Sequence, residues 1–213
     1  MIADIFSLEV IRKYPTGGRE GHMVRLSPDS TRAYVTSRGA EGTLSVIYLE
    51  EDIEPTVIET GPGAEGLAVT ADGAEVWVLN RQETTISVID TQSLKVVEEV
   101  SSHAFAGRAE SLETGQIAAV NGATGQGVGG YLRLYDAKSR AVLQDLLIPG
   151  DQSGTGGYGL LAVEGVLFVA TRSGGSILIY DLKDPSTPFT LADDHEGPDG
   201  MAWTPLRLNV FQN

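Results

Sequence analysis

Apolar residues come along this chain in short runs, separated by clusters of Gly, Pro, Asp and Ser. The runs RAYVTS, TLSVIYL, GLAVTA, EVWVLN, TISVID, KVVEEV, QIAAV, YLRLYD, VLFVAT and SILIYD are rich in Val, Ile, Thr and Tyr. Such runs, bounded by turn residues, predict strands. No window carries an apolar stripe of period 3.6 over three turns, so an all-β chain with almost no helix is expected.

The order of the runs recurs. A unit opens with Gly and an apolar strand, as in GHMVRLS, GLAVTA, GLLAVE and GMAWTP. A turn follows, such as Pro28-Asp29-Ser30 or Ala71-Asp72-Gly73, in which Asp starts the turn and Gly tolerates a positive φ. A second strand, a polar hairpin, a third strand and a weaker fourth complete the unit. The opening glycines are Gly21, Gly66, Gly107, Gly159 and Gly200, spaced 45, 41, 52 and 41 residues apart. A four-stranded unit repeated at this period predicts a β-propeller with one blade per unit. The longest spacing holds two glycine-rich stretches, Gly122–Gly130 and Gly150–Gly157, read as loops.

The ends supply complementary halves of one more blade. SLEVIRKY (Ser7–Tyr14) aligns with SLKVVEEV (Ser93–Val100), so the N-terminus provides outer strands. The stretch from Gly200 to Asn213 aligns with the segment from Gly66, and provides inner ones. The prediction is five four-stranded blades in a single domain. Residues 1–20 with 200–213 form a split closing blade, and the others lie at about 21–65, 66–106, 107–157 and 158–199. A mixed closing blade hides the sheet edges that an open stack would expose.

The stretches SPDSTRAYVTS…GTLSVIYL and TADGAEVWVLN…TISVIDTQSLKVVEEV resemble the YVTN β-propeller repeat family. The match is sharp over about residues 21–100 and reduces to a skeleton beyond, where ETGQ and VEGV replace the Asp-Gly turn. The resemblance implies a propeller and a periplasmic or extracellular setting, with no particular activity. Members commonly carry seven blades. An edge-paired or strand-swapped dimer therefore stands as the alternative to a closed monomeric ring.

Charge and composition narrow the partners. With 15 basic and 29 acidic residues the formal net charge is −14, a field that repels nucleic-acid phosphates and anionic lipid surfaces. No apolar segment approaches the roughly 18 to 20 residues of a spanning helix, so membrane insertion is not expected. The N-terminus shows no signal-peptide pattern. The chain has no cysteine, which removes disulfides, thiolate nucleophiles and Cys-based metal sites.

The propeller resemblance implies that ligands meet the face where loops lead into the first strand of each blade. The channel-mouth candidates there are Glu20, His22, Glu65, His103, Arg108, Tyr158, His195 and Asp199. Three imidazoles converging on the channel could hold zinc or copper, with Glu20 or Asp199 as a fourth ligand. Polar residues also collect in loops around any water-filled channel. Glu20, Glu65 and Asp199 share one slot, immediately before an opening glycine. A residue repeated at one slot points to a structural role, although a partial carboxylate ring could hold calcium.

The glycine-rich NGATGQGVGG lacks the GK[ST] ending of a phosphate loop. No Ser-His-Asp order, His-Glu-x-x-His pair or dinucleotide fingerprint appears. The expectation is a binding scaffold for a protein, glycan or small molecule. The alternative is a lactonase-like, metal-dependent hydrolase with a divalent cation at the channel mouth.

Overall fold

The computed structural model describes residues 1–122, 129–149, 158–172, 175–192 and 197–203, which hold eighteen strands and no helix. None of the described elements is a helix long and apolar enough to cross a membrane. The two glycine-rich loops lie largely outside the described residues, as do His195 and residues 204–213.

Four antiparallel sheets follow chain order from inner to outer strand. The first is β3 (Gly21–Leu26), β4 (Arg32–Ser37), β5 (Thr43–Tyr48) and β6 (Thr56–Glu59). The second is β7 (Ala64–Val69), β8 (Glu75–Asn80), β9 (Thr85–Asp90) and β10 (Lys95–Ser101). The third is β11 (Ala106–Ser111), β12 (Gln116–Asn121), β13 (Tyr131–Asp136) and β14 (Val142–Leu147). The fourth is β15 (Tyr158–Val163), β16 (Val166–Thr171), β17 (Ser176–Asp181) and β18 (Asp184–Ala192). The inner strands β3, β7, β11 and β15 lie beside one another in that order, as the blades of a propeller do.

At the N-terminus β1 (Ile2–Ala3) and β2 (Val10–Arg12) pair as a separate two-stranded ribbon. It reaches the first blade through Tyr14, which packs beside Ala33, Val35 and Ile47. Arg12 also pairs with Asp52 at 2.6 Å. The described start of the expected inner half, Gly200–Trp203, forms no strand.

Blade packing explains the near-continuous apolar runs. Successive side chains of a strand point to opposite faces, and the second strand of a blade is covered on both. Val76 and Val78 of β8 join Tyr34, Leu44 and Val46 of the first blade. Trp77 and Leu79 of the same strand face Ile117, Ala119 and Tyr135 of the third. A third cluster joins Val120, Leu132 and Leu134 to Leu160, Leu167 and Val169. The core is thus a series of layers between blades. Outer strands carry little of it: β14 is exposed along most of its length, and β18 carries Pro185 and Pro188. Prolines at an edge discourage further strand pairing.

The duplicated turns have one hydrogen-bonding plan. Asp29 Oδ1 accepts from Thr31 N at 3.0 Å and from the Ser27 hydroxyl. Asp72 Oδ1 accepts from Ala74 N at 3.0 Å and from Thr70 Oγ1 at 2.7 Å. The Ser27 hydroxyl and the Thr31 donors draw the Asp29 carboxyl down to about 2. Ser30 and Gly73 take positive φ at corresponding places, 58° and 72°. SPDS and TADG are therefore one structural device written twice.

Trp77 is fully buried, with its ring centroid 5.7 Å from that of Tyr135 and its Nε1 donating to Glu75 at 3.0 Å. Trp77→Ala is expected to cost about 3–5 kcal/mol, because a cavity opens between two rigid sheets. Trp77→Phe should cost clearly less. Urea denaturation checks both, and equal losses would contradict the packing account.

Candidate functional site

The mouth of the channel forms where first strands begin and second strands end. At this rim the ladders are irregular. The β3–β4 pairing shifts register between Gly21 and Val24, the β7–β8 pairing between Ala64 and Leu67, and the β11–β12 pairing between Ala106 and Arg108. Such bulges turn a side chain out of the regular alternation. His22, Glu65 and Gly107 sit within them, and Arg108 ends the third.

Two of the opening glycines, Gly66 and Gly159, permit the close approach of neighbouring backbone. A Cβ on Gly66 would meet the backbone of Gly107 and Arg108 at 2.6–3.0 Å, so β7 and β11 could not lie this near with any larger residue. The carboxylate before it is consequently carried into the interior.

Glu65 is only 2% exposed. Its Oε1 accepts from Arg38 Nη2 at 2.6 Å and from Arg108 Nη1 at 3.4 Å. Arg81 Nη1 lies 3.5 Å away and His22 Nε2 3.8 Å away. Its Oε2 is buried without a hydrogen-bond partner. Arg108 also donates to Asp199 at 3.4 Å and to the Gly107 carbonyl at 3.1 Å. Deeper in the channel, Arg25 of β3 pairs with Glu110 of β11, joining the first and third blades directly. Burial raises the Glu110 carboxyl above its ordinary value despite that partner.

These groups line a cavity of about 610 Å³. Of the eight sequence candidates, Glu20, His22, Glu65, Arg108, Tyr158 and Asp199 line it. His103 does not. Its ring stacks on Tyr131 at 4.3 Å, and its Nε2 lies 2.8–2.9 Å from Asp145, in the outer strand β14. Arg133 completes that cluster, 2.6 Å from Asp145. The loop before β11 thus directs His103 toward the outer strands of the third blade, and it shares no centre with His22. His195 lies outside the described residues.

Three cavity arginines were missed from sequence. Arg38, Arg81 and Arg172 each follow directly on the second strand of a blade, as in VTSR, VLNR and VATR. Gly122 fills the same slot in the third blade. The signal was a repeated position, and it was legible. Phe105 and Gln82 add further lining from the loops before β11 and after β8.

The site is a guanidinium cluster more than a carboxylate ring. Glu65 is neutralised by its arginines, and no group of three or more His, Asp or Glu among the described residues is placed to hold a metal. The hydrolase alternative gains no support from this arrangement.

No family model and no curated protein sequence matches the chain. Solved structures do. The RRP9 WD40 repeats superpose with a TM-score of 0.71 at 11% identity, over 90% of this chain and 56% of that one. Hydrazine synthase from Kuenenia stuttgartiensis gives 0.69 at 13% identity, over 89% and 53%. The β-propeller domain of Myceliophteria thermophila Cps50 (Swd1) gives 0.67 at 16% identity, over 90% and 61%. The chain therefore spans little more than half the length of these structures. At such identities the likeness defines the fold, and that fold is a β-propeller.

Glu65→Gln is expected to lower stability by about 2–4 kcal/mol. It leaves part-exposed guanidiniums facing one another without their counter-charge. Denaturant titration checks the loss, which should shrink at high salt. His22 is held below its usual value, first by burial and then by Arg38 and Arg108, against the opposing pull of Glu65. Below about pH 6.5 the unfolded chain binds a proton that the folded chain resists, so stability should fall as pH drops toward 5. Melting temperatures of His22→Gln across that range should show a shallower decline.

Proposed function

We propose that this chain is a propeller of the YVTN-repeat kind, working as a non-catalytic binding module that takes a small molecule at the channel mouth. The observation that carries the reading is the cavity itself. It is concave, and its lining comes from all four complete blades. Where the strand repeat is most regular the chain builds packing; unlike side chains meet at the mouth. Concave sites with a few convergent polar groups are the usual form of small-molecule sites.

The resemblance in SPDSTRAYVTS and TADGAEVWVLN supports the family assignment. Phe105, 47% exposed at the rim, offers an apolar surface beside the charged groups. A bound molecule would span several blades, and the rigid packing beneath would hold its contacts in place. Covalent chemistry is not part of the proposal, since neither the sequence motifs nor the mouth supplies an activated nucleophile.

Gly107 provides the test. Gly107 lines the cavity, and a Cβ there would meet only the Phe105 carbonyl, at 3.9 Å, so a side chain starts from this position without a backbone clash. Thermal unfolding of the wild type against a library of small metabolites should reveal stabilising compounds. Gly107→Phe should keep the unliganded melting temperature and lose the response. A library without effect, or one equally effective on Gly107→Phe, would overturn the proposal.

A further inference from the structure

We infer that the ligand of this mouth is a small oxyanion, a carboxylate or phosphate group held by Arg81 and Arg172; this rests on the mouth being the ligand site. Four of the chain's eleven arginines line the cavity, while none of its four lysines does. A rim chosen only for solubility would carry both types. The planar guanidinium fork suits two-pronged contact with a carboxylate or phosphate.

The four arginines are not equally committed. Arg38 is held by Glu65 and His22, and Arg108 by Glu65, Asp199 and the Gly107 carbonyl. Arg81 stands within ion-pair range of Glu65 but donates no hydrogen bond to it. Arg172 is exposed and makes no ion pair among the described residues. The guanidiniums of Arg81 and Arg172 therefore donate no hydrogen bond to another described residue, and both line one cavity. They occupy the same slot on the second and fourth blades.

The internal carboxylates do not satisfy this charge. Four guanidiniums face Glu65, Asp199 and Glu20, and Glu20 forms no ion pair with them. Glu65 and Asp199 hold Arg38 and Arg108 in place by ion pairing. A ligand anion would draw instead on Arg81 and Arg172, which line the same cavity. Guanidiniums in excess of their counter-ions cost stability, and such local cost is the mark of a site kept for binding.

The rest of the molecule limits the size of the anion. A net charge of −14 surrounds this positive mouth. At physiological salt the field of exposed charges dies away within roughly 8 Å. A small anion can pass that distance into the cavity, whereas an extended polyanion would lie along the acidic exterior. The acidic Glu20 and Asp199 at the rim also give hydroxyl groups on the same ligand an acceptor. A hydroxylated carboxylate such as a sugar acid combines both features.

The test measures melting temperature and calorimetric affinity with potassium phosphate, succinate and glucuronate, each at about 5 mM against potassium chloride of equal ionic strength. Glucose is the neutral counterpart of glucuronate. At least one anion should stabilise the wild type, and the responding one tells phosphate from carboxylate. Arg81→Gln and Arg172→Gln should each weaken that anion by about tenfold or more. Both should keep or raise the unliganded melting temperature, which a structural role would lower. Arg12→Gln, on the N-terminal ribbon, should leave the anion response unchanged. Binding of glucose as tightly as glucuronate, abolished by Gly107→Phe, would overturn the oxyanion while leaving the mouth as the ligand site. Anion binding undiminished in both arginine variants would also overturn it. If no anion stabilises the wild type, the inference fails, whatever the wider library shows.

Discussion

In the first three blades the second strand is buried on both faces, and the remaining architecture follows from that. Val76 and Trp77 are neighbours in sequence but belong to different layers of core, one facing the first blade and one the third. A strand covered on both sides cannot alternate apolar with polar. Its run must be apolar throughout, and polarity is pushed to its ends. The ends of the four second strands lie at the channel mouth, so the fold's strictest packing demand also determines where charge gathers. Arg38, Arg81 and Arg172 stand one residue beyond the ends of their strands.

The same demand explains what was legible in the sequence. Runs such as EVWVLN and VLFVAT, the Asp turns and the glycine spacing gave strand order and blade period directly, because each is imposed by contacts every blade must make. The candidate site was legible in part. Glu20, Glu65 and Asp199 were found through a shared slot, and they do line the cavity. The arginine slot was equally regular, but attention to imidazoles and carboxylates passed over it. His103 was misplaced for a different reason. Its loop sends the ring outward to Asp145 and Tyr131, and no pattern in the sequence reports that turn. Nor does any pattern report the bulges that aim His22 and Glu65, because an extra residue in a ladder is visible only when both strands are paired.

Glu65 shows how a repeat can be adapted at low cost to the fold. Its backbone serves the scaffold: Thr36 Oγ1 donates to the Glu65 carbonyl at 2.6 Å, tying the first blade to the second. Its side chain serves the mouth, drawing guanidiniums from three blades toward one oxygen. One residue thus couples the seating of two blades to the arrangement of the cavity wall. Arg25 and Glu110 reinforce that seating below, independently of the mouth.

Gly122 stands where the other three complete blades place arginine. A rim with the same cation at every blade would have rotational symmetry and would present identical surroundings to a guest however it turned about the channel axis. Leaving one slot without a side chain breaks that symmetry. The third blade's guanidinium comes instead from Arg108 on its first strand, so the four cations of the mouth do not stand at equivalent points. A scaffold assembled from near-identical units thereby acquires a mouth with a direction, through the omission of a single side chain.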